Sequence, residues 1–323
     1  MSARPFPKAD RVRRRQQIIG LAAAALTLAG CELAPLQPQP PAATAPSSAT
    51  AMELMDPVSR ELADYYQRVQ DGFLAQGLLR TDGGGPDTPF SRSQLVENFI
   101  RIALFEEYTN DGGRLVARQS PSRLHRWEQP INMQLVFGDS VPDDHKRTDR
   151  DNVANFSTRL SRISGVPIRM VSQGANFHVF FLSENERRAM GPTLRRIVPG
   201  ISDTAVRTVT DLPRSSYCLV FAFDSNNDNR YSQAVAIIRS EHPDLLRLSC
   251  IHEEIAQGLG LSNDSPAARP SIFNDDEEFG LLTTHDEFLL RMLYDPRMRA
   301  GMDAAQARAV ANVIAGEYFA GDS

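Results

Sequence analysis

Apolar positions change their spacing several times along the chain, and each change marks an element. Between residues 52 and 79, Leu62, Tyr65, Tyr66 and Val69, then Phe73, Leu74 and Leu78, recur at helical intervals. Side chains three and four apart share one helix face, so this spacing predicts an amphipathic helix. Gly83-Gly84-Gly85-Pro86 ends it. Residues 91–108 predict a second helix, with Leu95, Phe99, Ile102, Ala103 and Phe105 on its apolar side and Glu106 and Glu107 on its solvated face. After Gly112-Gly113 the period changes. Residues 127–137 alternate and predict a strand; residues 149–164 predict a helix carrying Val153, Phe156, Leu160 and Ile163. Strands are expected at 168–171 and 177–182, then a short helix opened by Ser183-Glu184-Asn185-Glu186, which has the spacing of a capping box. Two further strands, 217–223 and 234–238, flank a loop rich in Asp and Asn. A helix over 245–259 stops at Gly260, and a last helix spans 283–294. Strands mixed with helices predict an α+β domain with a mixed sheet.

The first fifty residues follow other rules. Arg4, Lys8, Arg11, Arg13, Arg14 and Arg15 precede an apolar run from Ile18 to Ala29, too short for an ordinary membrane span. Leu28-Ala29-Gly30-Cys31 then resembles a bacterial lipobox, in which Cys31 becomes the acylated first residue. A plain secretory signal is the simpler alternative. Residues 33–50 are rich in Pro, Ala and Ser and read as a spacer. The expected organisation is a signal peptide over 1–30, a tether over 31–50, a helical region over 51–118 and the sheet-bearing domain over 119–323. The address is the cell envelope, facing the periplasm, with outer-membrane delivery as one destination.

Charge narrows the partners. The formal net charge is −5. Without residues 1–30, which hold six basic residues and Asp10, 29 Lys+Arg stand against 39 Asp+Glu, a balance of −10. So acidic a chain excludes a nucleic-acid partner, and membrane attachment rests on the acylated cysteine. Cys218 and Cys250 then remain. In an oxidising compartment they form a disulfide or stay as two buried thiols; their places beside predicted core elements favour the bridge. The loop beginning Asp224-Ser225-Asn226-Asn227-Asp228 starts like a calcium-binding loop, but Asn229 and Val235 stand where Gly and Glu are needed, so it reads as an ordinary turn.

Chemically capable side chains are densest between Cys250 and Asp264. Read as a helix, Glu253 and Gln257 share a face beside Glu254, and Asn263 and Asp264 lie just past Gly260. This stretch resembles the metzincin pattern H-E-x-x-H-x-x-G-x-x-H. Glu254 falls on the general base, Glu253, Gln257 and Asn263 on the three ligand positions, and Gly260 on the turn glycine. Ser271-Ile272-Phe273-Asn274-Asp275 resembles the segment of the Met-turn, with Phe273 for the methionine. Leu282-Thr283-Thr284-His285-Asp286 is similar to the last metzincin helix, and Arg126-Trp127 with Pro130-Ile131 to the first strand. Over its last two-thirds the chain also resembles a family of proteobacterial lipoproteins, domain of unknown function 2927, carried by Glu253-Glu254, Gln257, Gly260-Leu261, Asn263-Asp264-Ser265 and Leu293-Tyr294-Asp295-Pro296.

The resemblance implies a metzincin-like (zincin-like) fold. It implies a zinc site only if the donors suit zinc, and they do not. Zinc takes His, Cys and carboxylate, whereas Gln257 and Asn263 offer neutral amide oxygens. His252 lies one residue early, and placing it as a ligand puts Ala256 at the second position. His285 is a further histidine that a fold could bring near. The expected function is that of a membrane-anchored lipoprotein whose non-catalytic, peptidase-like domain binds a peptide or an envelope protein, without cofactor. Two alternatives stand beside it. In one, Glu254 is the general base of an atypical hydrolase, with a divalent metal ion held by Glu253, Gln257, and Asn263 or Asp264. In the other, the chain is a purely structural envelope lipoprotein.

Overall fold

The computed structural model describes residues 56–111 and 114–320, with the backbone but not the side chains described at 107–111 and 114–119. The signal, the tether and Cys31 lie outside the described residues. Two helices open the described chain, α1 (Pro57–Ala75) and α2 (Arg92–Ala103), followed by a hairpin of β1 (Phe105–Asp111) and β2 (Arg114–Pro121). Then come β3 (Ile131–Phe137), α3 (Asp143–Ser164), β4 (Ile168–Met170), β5 (Phe177–Leu182), and three short helices, α4 (Glu184–Arg188), α5 (Gly191–Ile197) and α6 (Asp203–Thr210). β6 (Cys218–Phe223), β7 (Gln233–Arg239), α7 (Asp244–Gln257), α8 (Thr284–Leu293) and α9 (Ala304–Phe319) complete the order.

Five strands form one mixed sheet in the order β4-β3-β5-β7-β6. All neighbours are parallel except β6, which runs antiparallel to β7 at the edge. The fold is therefore α+β with a mixed sheet, as the pattern predicts. Both faces of the central strands are buried, which is why they read as near-continuous apolar runs. Ala234, Ala236 and Ile238 of β7, with Phe177, Val179 and Phe181 of β5, face the core shared with α2, α3, α7, α8 and α9. Val235, Ile237, Phe180 and Leu182 face a smaller core built with Met190, Leu194, Val206 and Val209 of the α4–α6 layer. Each of the larger side chains, Val, Leu, Ile, Met or Phe, contributes roughly 1.5–3 kcal/mol when removed from water.

The predicted second helix stops early. α2 begins with a capping box between Ser91 and Gln94 but ends at Ala103. Phe105 opens the hairpin, whose ladder pairs Phe105 with Pro121 and Asp111 with Arg114. Cross-strand hydrogen bonds outweigh a helical propensity that Tyr108 and Thr109 support only weakly. Helices α5, α6 and α9 lie beyond the predicted elements. The apolar face of α9 is mostly alanine, Ala307, Ala311 and Ala315 with Ile314, so its hydrophobic period is faint. The capping box from Asp303 to Gln306 is the sequence signal that marks its start.

Buried ion pairs hold the layers in place around β6 and α7. Arg247 of α7 reaches Asp149 of α3 at 2.9 Å, both nearly inaccessible. Glu184 sits between Arg187 and Arg239 at 2.7 and 2.6 Å. Arg239 also donates to the carbonyls of Leu212, Pro213 and Ser216, fixing the loop that feeds β6. Among the described residues no helix is long and apolar enough to cross a membrane.

Candidate functional site

Edge strand β6 and helix α7 border a cleft of about 830 Å³. A disulfide between Cys218 at the start of β6 and Cys250 in α7 ties the two walls together, with the Cα atoms 5.9 Å apart. The bridge favoured by the sequence is thus formed. Glu253, Glu254, Gln257 and Asp264 all line the cleft. Glu253 is half-buried and the other three are buried. Gln257 donates to the Asp264 carboxylate at 3.1 Å, closing the last turn of α7 onto the loop after it.

The turn after α7 depends on its glycines. Gly260 has φ +121°, and a Cβ there would lie 2.5 Å from the His125 carbonyl oxygen. A Cβ on Gly258 would lie 2.6 Å from the Phe177 ring. The chain can approach this closely only without side chains. Trp127, fully buried, donates its indole N–H to the Gly258 carbonyl at 2.8 Å, and the Tyr294 hydroxyl donates to the Leu259 carbonyl at 2.7 Å.

Asn263 is not brought to the cleft. Its backbone N–H donates to Ile102 and its side-chain amide to Arg101, at 3.1 and 2.8 Å, where it caps the end of α2. Its place in the spacing therefore serves the seam between α2 and the loop. His252 faces the opposite way from Glu253. It stacks on Phe156 with centroids 3.9 Å apart, and its Nδ1 accepts from the Leu282 N–H at 3.1 Å. Burial, with the Arg159 charge adding to it, pushes this imidazole down to about 3, so it is neutral and structural. His285 is fully buried against Asn98, at 3.1 Å, and Phe90. Its neighbour Asp286 gathers Ser271, Ile272 and Thr283 at 2.6 to 3.1 Å, which fastens the segment before Phe273 to α8.

Several lining residues come from outside the predicted set. Glu106, read as part of a solvated helix face, lines the cleft because β1 begins where the helix was expected to continue. His125, Tyr231 and Asp224 line it too, and so do Asp275, Asp276 and Glu277. The acidic run 275–278 is visible in the sequence, but its approach to α7 depends on the fold. Asp224 accepts the backbone N–H groups of Asn226 and Asn229, an Asx-type turn. Glu277 has φ +58°, an uncommon backbone for a side-chain-bearing residue. Burial first, then Asp275 and Asp276, lift its carboxyl to about 7.

The donor set does not suit a zinc ion. Among the described residues, the Cys218 sulfur and carboxylate oxygens of Glu253 and Glu254 lie within 4.8 Å of one another. The sulfur is committed to the disulfide, which leaves oxygen donors without imidazole. Oxygen donors of this kind match hard cations.

No curated protein matches the chain. One family does, described as protein of unknown function (DUF2927), over residues 92–312. That span runs from the first residue of α2 into α9 and includes the whole sheet, both walls of the cleft and the turn at Gly260. The chain belongs to this family.

Proposed function

We propose that this chain is a membrane-anchored envelope lipoprotein whose metzincin-like domain binds a peptide segment in extended form without cutting it. The observation that carries the reading is the pairing of an unshared antiparallel edge strand, β6, with helix α7 across a roomy cleft. An extended peptide can add to such an edge through main-chain hydrogen bonds. The order of elements, the helix with Glu254 at the general-base position, and the close-packed turn at Gly260 support the metzincin-like relationship. The side chains argue against hydrolysis. Gln257 is bonded to Asp264, Asn263 to α2, and the nearest sulfur to its partner cysteine. Glu253, Glu254, Gln257 and Asp264 then act as a polar network that shapes one wall. Anchoring rests on Cys31, and the acidity of the chain leaves no role for nucleic acid.

Metal content and cleavage test the binding reading. The purified wild-type protein and Glu254→Gln are analysed for bound metal by elemental mass spectrometry and incubated with a mixed peptide library. The expected result is no stoichiometric metal and no cleavage by either protein. Stoichiometric metal together with cleavage that disappears in Glu254→Gln would establish the hydrolase instead. For the anchor, Cys31→Ser is expected to move the protein from the membrane fraction to the soluble periplasmic fraction. Retention on the membrane would refute acylation at this position.

A further inference from the structure

The charge on the cleft identifies the chemistry of its occupant. Eight of the lining side chains are Asp or Glu, and none is Lys or Arg. Without residues 1–30 the chain is acidic, with 29 Lys+Arg against 39 Asp+Glu, but basic side chains are still more than four in ten of its charged residues, so their absence from the lining is local. Several carboxylates outside the cleft are met by cations. Glu278 is held by Arg269 and Arg80 at 2.5 and 3.1 Å, Glu184 by Arg187 and Arg239, and Asp149 by Arg247. Glu277, next to Glu278, turns the other way into the cleft beside Asp275 and Asp276. No basic side chain among the described residues forms an ion pair with any of these three. Burial first, and then repulsion from Asp275 and Asp276, raises the Glu277 carboxyl.

The second observation is the edge strand. β6 pairs with β7 on one side only, and the residues from Cys218 to Phe223 all border the cleft. A small cation would satisfy the carboxylates and leave the outer edge of β6 bare. An extended polypeptide satisfies both, because its backbone pairs with the strand while alternate side chains point to one wall.

We propose that the bound segment is an extended stretch of polypeptide carrying Lys or Arg, laid along β6 with its basic side chains against Glu253, Glu254 and the 275–277 loop. This rests on the peptide-binding reading above and specifies its ligand class. The carboxylates of the loop are exposed or half-buried, so attraction is strongest at low salt and weakens as the Debye length shrinks to about 8 Å at physiological ionic strength. Complementary charge of this kind also rejects acidic segments.

The test uses the full chain and fluorescein-labelled octapeptides followed by fluorescence anisotropy. One peptide has Lys at alternate positions in a Thr/Val background; two others carry Gln or Glu at the same positions. The Lys peptide is expected to bind at least about tenfold more tightly than the Gln peptide, a difference of about 1.4 kcal/mol, and the Glu peptide to show no binding. The combined variant Asp275→Asn, Asp276→Asn, Glu277→Gln is expected to lose most of the preference for Lys while keeping its affinity for the Gln peptide within about twofold. Equal binding of the Lys and Gln peptides overturns the cationic assignment and leaves peptide binding standing. Binding of spermine or calcium alone, with no peptide bound, overturns it in favour of a small-cation site. Failure of every peptide to bind removes the peptide-binding reading, and this proposal with it.

Discussion

At the residue scale, the most informative side chains are those whose neighbours come from far along the chain. Gly260 was legible from its spacing after Glu253 and Gln257. Asn263 was not, because its partners, the carbonyls of Arg101 and Ile102, lie more than 160 residues earlier. For His252 the spacing excluded the ligand register, because Ala256 falls at the second position, whereas its stacking on Phe156 is a product of the fold. Glu277 makes a prediction that belongs to this scale. Its carboxyl is lifted from 4.5 to about 7 in the folded protein. The folded state then binds the proton more strongly than the unfolded chain does. Its contribution to stability is fully present below about pH 4.5 and is lost as pH rises through 7. Glu277→Gln removes this dependence. Urea midpoints measured from pH 4 to pH 9 should show the variant gaining on the wild type above pH 7 and matching it near pH 4. An equal shift at both ends would mean that the carboxyl does not titrate as its burial implies.

At the element scale, capping and pairing decided what the hydrophobic period left open. The period carried the second helix through Phe105 and Glu106, whereas the ladder between β1 and β2 claims those residues and brings Glu106 to the mouth of the cleft. Conversely, α9 was hidden because alanine contributes little to a hydrophobic pattern. The two cysteines were recognisable as a pair from compartment and count, but their role as a tie between β6 and α7 follows from topology. The bridge closes a loop with a sequence separation of 32. Constraint of the unfolded chain over such a loop is worth about 2–4 kcal/mol. Cys218→Ser combined with Cys250→Ser should therefore lower the free energy of unfolding by that amount in urea titration. Far-ultraviolet circular dichroism should be unchanged at low denaturant, since Arg247–Asp149 still holds α7 to α3. A loss of helical signal without denaturant would show that the bridge is needed for α7 itself to form.

At the scale of the whole molecule, the cleft is assembled from eight separate stretches, of which only the one from Glu253 to Asp264 reads as a site in the sequence. Sequence spacing reached the α7 wall; β6, Glu106, His125 and the 275–277 loop join it only through the strand order and the packing of the helices. Helix α1 lies before the region shared with the family, which starts at residue 92, yet it belongs to the same compact unit. Tyr66 is fully buried against His242, with centroids 4.4 Å apart, and its hydroxyl donates to the Arg214 carbonyl. Gln70 accepts from the Leu246 N–H at the start of α7. Leu79 and Arg80 donate their N–H groups to the carbonyls of Glu277 and Glu278, and Gly280 donates back to Arg80 at 2.9 Å. Residues 56–91 are thus a strap joined to the start of α7 and to the acidic loop, and Phe73 within it lines the cleft. Large-to-small changes at sites as buried as Tyr66 and Leu79 cost about 2–5 kcal/mol each. A chain beginning at residue 92 should consequently unfold at a markedly lower temperature than one beginning at residue 56. Hydrogen exchange should locate the difference, with the Gly280 amide losing protection in the shorter chain while the β5–β7 ladder at the centre of the sheet keeps it. Equal protection of Gly280 in both chains would show that the loop lining the cleft holds its shape without the strap.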